Sequence, residues 1–188
     1  MKLYMIRHGQ SESNGKGLWT GWQDVPLTER GRGDAKAARE VLKDVPFDKV
    51  YSSDLQRARQ TAEIALPGCA YEALSVLREI HVGDLQGKPL QILTPQEQER
   101  ATAEGYTSWG GESRADHRQR MREFLTLLEE RGDETVAAFA HGGCLKSMLC
   151  EVLGTTFPFS AIRCENCAVA IFEQDGGRWR LHSWINIR

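Results

Sequence analysis

The sequence is short of three things: long apolar runs, a surplus of basic residues, and cysteines in regular spacing. Its opening apolar stretch, Met1 to Ile6, is only as long as a strand. A secretory core needs more, and a membrane helix needs about 20 residues, so no membrane association is expected. Lys plus Arg number 24 against 26 Asp plus Glu, for a formal net charge of -2. With no basic excess to displace counterions, a general nucleic-acid binder is excluded, and any phosphate site must be a local arrangement. The five cysteines are odd in number and irregularly placed. That argues against a disulfide framework and for a reducing, cytoplasmic setting.

What is present is enough apolar residue, 40% of 188, for one sizeable core, and residues 1–188 read as a single domain. Leu3 to Ile6 is continuous, apolar and short, the pattern of a strand buried on both faces, and it delivers Arg7-His8-Gly9 at its end. A polar, glycine-rich stretch from Gln10 to Pro26 follows, and Thr28 is placed to cap a helix running to about Lys43. Val50-Tyr51 predicts a second strand ending in Ser52-Ser53, with helical spacing from Leu55 to Leu66 after it. The proline- and glycine-bearing segment 83–111 reads as a lid or insertion around a helical piece from Pro95 to Glu104. Ser113 can cap a long helix through Arg131, whose charge run Arg114 to Arg122 reads as a wet face. Thr135 to Ala140 predicts a third buried strand, which ends in His141-Gly142-Gly143 before a helix from Cys144 to Leu153. Two late strands, Cys167 to Phe172 and Trp179 to Ile187, flank the hairpin signal Asp175-Gly176-Gly177. Strands alternating with helices specify an α/β sandwich, and ligands in such sheets sit beyond the strands' carboxyl ends. His8, Ser53 and His141 should therefore face one crevice.

Phosphoryl transfer asks for a nucleophile, an acid for the leaving oxygen, and fixed donors around the equatorial oxygens. His8 is the candidate nucleophile, since a neutral imidazole attacks phosphorus when its other nitrogen donates to a fixed acceptor. Arg7 and Arg57 offer planar donor forks, Asn14 a neutral donor, and His141 a charged donor ahead of a helix N-terminus. Glu79 is the best placed carboxyl for a general acid, with Glu12 and Glu112 as possible substitutes. Trp19, Trp22 and Trp109 fall in loops expected to rim the crevice, either to stack on substrate or to pack on one another. Cys164 and Cys167 have the spacing of half a zinc site, but no second pair follows, so they read as structural. His81, His117 and His182 read as surface or packing residues.

The segment Arg7-His8-Gly9-Gln10-Ser11-Glu12-Ser13-Asn14 resembles the signature of the histidine phosphatase family, whose relatives include phosphoglycerate mutases. Asp24 to Gly31, Ser52 to Ala62, Leu77-Arg78-Glu79, Gly111-Glu112-Ser113 and Ala140 to Gly143 also resemble it, in the family's order. The resemblance implies a three-layer α/β/α sandwich with a mixed, mostly parallel central sheet. It implies a phosphohistidine on His8, with Arg7, Asn14, Arg57, His141 and Gly142 around the phosphoryl group and Glu79 as proton donor. It implies no metal or other cofactor. Thr20-Gly21-Trp22, candidates for substrate contact, and Leu85-Gln86-Gly87 look like the mutase branch. Against that branch, its Glu-Arg-His-Tyr-Gly is here Glu79-Ile80-His81-Val82-Gly83, so the arginine and tyrosine of its carboxylate clamp are missing. Asp54 stands where many relatives have proline, a change expected to matter little.

The expectation is a metal-independent phosphomonoesterase acting on a small phosphorylated metabolite in two steps, with an acid-shifted pH optimum. A phosphoglycerate mutase and a non-catalytic phospho-ligand or phosphoprotein binding module are the alternatives. The chain is expected to work as a monomer or a homodimer.

Overall fold

The computed structural model describes residues 1–187. The first strand, β1 (Lys2–Arg7), leads to a one-turn helix α1 (Glu12–Gly15), capped reciprocally by Ser11 and Asn14. Helix α2 (Glu29–Leu42) starts where the sequence places it, with the Thr28 hydroxyl accepting from the Gly31 amide. Strand β2 (Lys49–Ser53), helix α3 (Gln56–Ala65) and a three-residue strand β3 (Glu72–Leu74) follow. Short 3-10 turns then lead to α4 (Pro95–Glu104) and α5 (Arg114–Arg131), the latter capped by Ser113. Strand β4 (Thr135–Ala140), helix α6 (Gly142–Leu153) and the pair β5 (Val169–Asp175) and β6 (Arg178–Ile185) complete the chain.

The six strands form one sheet in the order β3-β2-β4-β1-β5-β6. The pairs β3-β2, β2-β4 and β4-β1 run parallel, while β1-β5 and β5-β6 are antiparallel, so the sheet is mixed and mostly parallel. Its two faces are covered by different helices because successive strand residues point to opposite sides. Leu3, Met5, Val136 and Ala138 pack with Met121, Phe124 and Leu128 of α5 and with Leu145 and Met148 of α6. Ile6, Ala137 and Phe139 pack with Ala35, Ala38 and Leu42 of α2 and with Ala62 and Ala65 of α3. The α2 and α3 side of the core is rich in alanine, whereas the α5 and α6 side is built largely of bigger side chains. Each fully buried side chain such as Phe124 contributes roughly 1.5–3 kcal/mol.

Three details differ from the sequence reading. Strand β3 and helix α1 are too short to leave a period. Helix α6 opens at Gly142, with His141 in extended conformation as its N-cap, two residues earlier than expected. Cys167 has a left-handed φ of 57°, so the strand expected there begins at Val169. Residues of the 83–111 segment join a small separate cluster, in which Leu85, Leu93, Ala101 and Tyr106 pack with Ile80 and Val82 just before it, and Trp19 and Trp109 lie against it.

Candidate active site

The parallel strands β2, β4 and β1 are neighbours, so their carboxyl ends deliver Ser53, His141 and His8 side by side. The Nε2 of His141 lies 2.9 Å from the Ser53 hydroxyl, and the His8 and His141 rings meet edge to face at 5.1 Å. His8 is buried, and its Nδ1 lies 2.6 Å from the Gly9 carbonyl oxygen. A carbonyl only accepts, so Nδ1 carries the proton and Nε2 keeps its lone pair. Arg57 Nε donates to that Nε2 at 3.3 Å, in keeping with this tautomer. Burial, with the charges of Arg57 and Arg7 nearby, holds His8 well below the ordinary histidine value of 6.5 and keeps the ring neutral. The backbone here can bend so closely past α2 because residue 9 is glycine: a Cβ on it would stand 2.2 Å from the Gly31 carbonyl oxygen.

Arg57 is fully buried. Its Nη1 and Nη2 donate to the carbonyls of Gln23 and Gly21 at 2.8 Å each, which fixes the 20–23 loop as well as the guanidinium. Burial pulls its pKa down to about 10, opposed by Glu79 and Asp24, so it remains a cation at neutral pH. Arg7 donates through Nη1 to the Cys164 carbonyl, and its Nε is buried without an acceptor. The Asn14 amide oxygen accepts from the Ser11 amide at 3.2 Å, which leaves its NH2 group for a ligand. Sequence reasoning gave His141 a charged donor role. Burial and the charge of Arg57 instead push it well below 6.5, so it is neutral, with Nδ1 unpartnered.

Glu79 faces this group from the segment after β3. Its Oε1 accepts from the Ile80 amide at 2.9 Å and its Oε2 from the Gly143 amide at 3.1 Å. Residue 143 has to be glycine for that approach, since a Cβ there would lie 2.0 Å from the carboxylate. Neither substitute carboxyl is placed for the chemistry. Glu12 pairs with Lys16 on the surface, and Glu112 is clamped by Arg120 Nε and Nη2 at 2.7 and 2.8 Å.

Arg120 was hidden in the charge run read as a wet face, and for it that reading is overturned. Its guanidinium also donates to the carbonyls of Val76, Arg78 and Glu79, and so holds the backbone that presents the Glu79 carboxyl. On the other side, Asp54 binds Arg78 through both oxygens at 2.7 and 2.8 Å, a role the turn position did not reveal. An Arg120→Met variant leaves the Glu112 carboxylate in a mostly buried setting without its partner, a change that costs about 3–5 kcal/mol. We expect a melting temperature lower by about 10 °C and a reduced kcat. Arg118→Met loses a bond to Glu151 and a long one to the Thr155 carbonyl, but Glu151 keeps Arg122 as its partner, so the cost is expected to be about 1 kcal/mol or less. Equal melting temperatures for the two variants would overturn the assignment.

A cavity of about 380 Å³ opens over this group, lined by Arg7, His8, Asn14, Arg57, Glu79 and Gly143 on the chemical side. Its outer wall is Leu18, Trp19, Thr20, Gly21, Ile80, Val82, Leu90, Tyr106, Arg114 and Phe159. Of the sequence candidates, Arg7, His8, Asn14, Thr20, Gly21, Arg57 and Glu79 thus share one cavity. His141 lies behind His8, and Gly142 lies against the Arg7 side chain. Trp22 packs outside, on His81 and under Arg78, with Nε1 donating to the Glu79 carbonyl. Trp19 lines the cavity as its loop suggested, whereas Tyr106, Arg114, Gly143 and Phe159 are lining residues the sequence reading missed. A larger groove of about 1370 Å³ between α4, α5 and residues 156–160 shares Arg114 and Phe159 with the cavity but touches none of the chemical group.

Glu79, His117 and Cys144 place ligand atoms within 4.8 Å of one another and are the residues that could hold a metal. Each is already engaged: Cys144 Sγ donates to the Leu77 and Arg78 carbonyls, His117 Nδ1 meets Ser147 at 2.8 Å, and burial raises the thiol far above its ordinary value. The set reads as a packed hydrogen-bond cluster, because a metal ligand must be the thiolate. His117 is accordingly a packing residue, fully buried. Cys164 and Cys167 are free thiols, both raised by burial, and their loop supports His8: Cys167 N and Asn166 Nδ2 donate to the His8 carbonyl at 3.3 and 3.2 Å.

A family model described as "Histidine phosphatase superfamily (branch 1)" matches residues 3–187. The chain is 31% identical over 175 residues to an adenosylcobalamin/alpha-ribazole phosphatase of Salmonella typhimurium, covering 86% of this chain and 83% of that one. It is 35% identical over 164 residues to a 2,3-bisphosphoglycerate-dependent phosphoglycerate mutase 2 of Gloeobacter violaceus, covering 80% and 74%. Among solved structures, a mycobacterial glucosyl-3-phosphoglycerate phosphatase in complex with VO3 superposes with a TM-score of 0.86 at 31% identity, over 97% of this chain and 98% of that one.

Proposed function

This chain belongs to the histidine phosphatase superfamily, and from that premise we propose that it hydrolyses a small phosphomonoester through a phosphohistidine on His8, with Glu79 as proton donor. One observation carries the reading: a neutral His8, its Nδ1 proton given to a main-chain carbonyl, presents a nucleophilic Nε2 beside Arg57 in a cavity that Glu79 also lines. In the first step, Nε2 forms a bond to phosphorus as the ester P–O bond breaks, and the Glu79 carboxyl gives its proton to the leaving oxygen. Arg7, Arg57 and the Asn14 amide hold the phosphoryl oxygens. In the second, Glu79 takes a proton from water as its oxygen bonds to phosphorus and the P–N bond breaks. His8 is then restored.

The wall formed by Ile80 and Val82, both buried and apolar, favours hydrolysis over mutase chemistry, because the clamp side chains of the mutase branch are absent at those positions. Among the described residues no helix is long and apolar enough to cross a membrane. All five cysteines are free thiols, and we take the working compartment to be the cytoplasm. The partners we propose are a small phosphorylated substrate and, at most, a second copy of this chain. We read residues 1–188 as one domain, with 83–111 as the lid or insertion over the cavity.

The test is turnover of a phosphomonoester panel in excess chelator, with 3-phosphoglycerate plus a bisphosphorylated primer as the mutase arm. Chelator-resistant phosphate release is expected. Isomerisation without release would replace the hydrolase reading by the mutase, and binding without either would leave the binding module. Within the same assay, Glu79→Gln is expected to slow an alkyl phosphate by about 10²–10⁴-fold and p-nitrophenyl phosphate much less. Equal losses on the two esters would remove Glu79 from the acid role.

A further inference from the structure

Helix α5 carries four arginines on its first half, and three of them have carboxylate partners: Arg118 and Arg122 share Glu151, and Arg120 binds Glu112. Arg114 has none among the described residues, although it is a lining residue of the catalytic cavity. Its Nε donates to the Thr102 carbonyl on α4 at 3.1 Å, which anchors the guanidinium, while Nη1 is buried without an acceptor. The plane lies 3.6 Å from the centroid of the Phe159 ring and 5.8 Å from that of Tyr106. Trp19 packs edge to face on the same Tyr106 ring at 5.5 Å, and its Nε1 is likewise buried without an acceptor. Two unpaired donors, one of them a cation, thus belong to side chains packed on a single aromatic ring of the outer wall. Leaving such groups unpaired is costly in a folded protein, unless an incoming ligand supplies the acceptors. The phosphoryl group is already provided for by Arg7 and Arg57, so Arg114 is a surplus cation.

We infer that Arg114, with Trp19 on the same Tyr106 ring, reads a second anionic group, a carboxylate or a further phosphate, on the leaving portion of the ester, and so restricts the substrate to small phosphomonoesters that carry one. A carboxylate or phosphate offers oxygens enough for both donors, and a guanidinium is the group suited to binding it. The anion is read by a side chain of α5. This rests on the phosphomonoesterase reading for its substrate, but its test does not need turnover.

Dissociation constants are measured on the full chain carrying His8→Ala, with 3-phosphoglycerate against glycerol 3-phosphate, which differ by a carboxylate, and with glycerol 1,3-bisphosphate for the phosphate case. The doubly anionic ligand is expected to bind about ten- to a hundred-fold more tightly, and the larger gain of the two identifies the anion. Adding Arg114→Gln should bring the ratio to about one, and Arg114→Lys should restore part of it, which a variant that merely failed to fold would not do. Equal affinities in the presence of Arg114, or a preference that survives Arg114→Gln, would overturn the inference. Hydrolysis of the same esters with His8 intact is scored separately: no turnover would defeat the hydrolase reading while the ratio still decides on Arg114.

Discussion

A His8→Ala variant is expected to lose catalysis by about 10⁴-fold or more and to form no acid-labile, base-stable phosphoenzyme. The size follows from the site's division of labour. Arg7, Arg57 and Asn14 can orient a phosphate without His8, but none of them has a lone pair to attack phosphorus. Of the other imidazoles nearby, His141 has its Nε2 spent on Ser53 and His117 its Nδ1 on Ser147. Rapid-quench trapping with radiolabelled ester, followed by peptide mapping, measures this directly. Label on His141 in the variant, or undiminished turnover, would sink the nucleophile assignment. Vanadate binding to the same variant reports whether the oxygen-binding groups remain in place.

The second large effect is on stability in mild acid. His8, His117 and His141 are all buried and all held well below 6.5, in each case chiefly by burial and then by neighbouring arginines. In the unfolded chain each takes up a proton near the ordinary value, whereas in the folded protein each resists it. Unfolding therefore binds protons as the pH falls below about 6.5, and the stability these neutral rings contribute, full above that pH, declines from there toward their folded values. Each histidine gives a slope of at most about 1.4 kcal/mol per pH unit, and the three together about 4. Urea unfolding at pH 7.5 and 5.5 should show the drop, and His8→Ala should flatten it by about a third. Carboxylates enter only lower down: Glu72, held to about 2 by Arg131 and Lys49, is one of them. A flat profile between the two pH values would show that all three rings take up a proton in the folded state as well. The same depression keeps His8 unprotonated, and so nucleophilic, in the mildly acid range where the sequence suggested the activity should peak.

How far the sequence could be read depends on the range over which each feature is determined. The ends of β1, β2 and β4 were legible because a short apolar run followed by a polar residue and glycine is a local pattern, and His8, Ser53 and His141 came with it. The Thr28 and Ser113 caps were legible for the same reason. Arg120 was not, because its acceptors lie on a segment up to 44 residues earlier, and hydrogen bonds to distant carbonyls leave no period in the chain. One signal was available: Arg120 stands three residues after His117 and four before Phe124, on the flank of the stripe those two help to bury. Asp54 and Arg78, 24 residues apart, were likewise invisible as a pair. Trp22 was placed on the rim by its loop, but the indole swings out to meet His81. The four arginines on the first half of α5 look alike in sequence, and only packing sorts them into clamp, surface pair and cavity wall.

The hydrogen bond from His8 Nδ1 to the carbonyl of the very next residue has a consequence for heredity as well as for chemistry. Where a nucleophilic imidazole is oriented by an aspartate, a single base change can delete the orienting group. Here the acceptor is peptide backbone, which every codon encodes, so the tautomer cannot be lost by substituting its partner. The fragile letters are instead the ones that shape the path of that backbone, and the tolerance of this site to drift is set by a glycine that takes no part in the reaction.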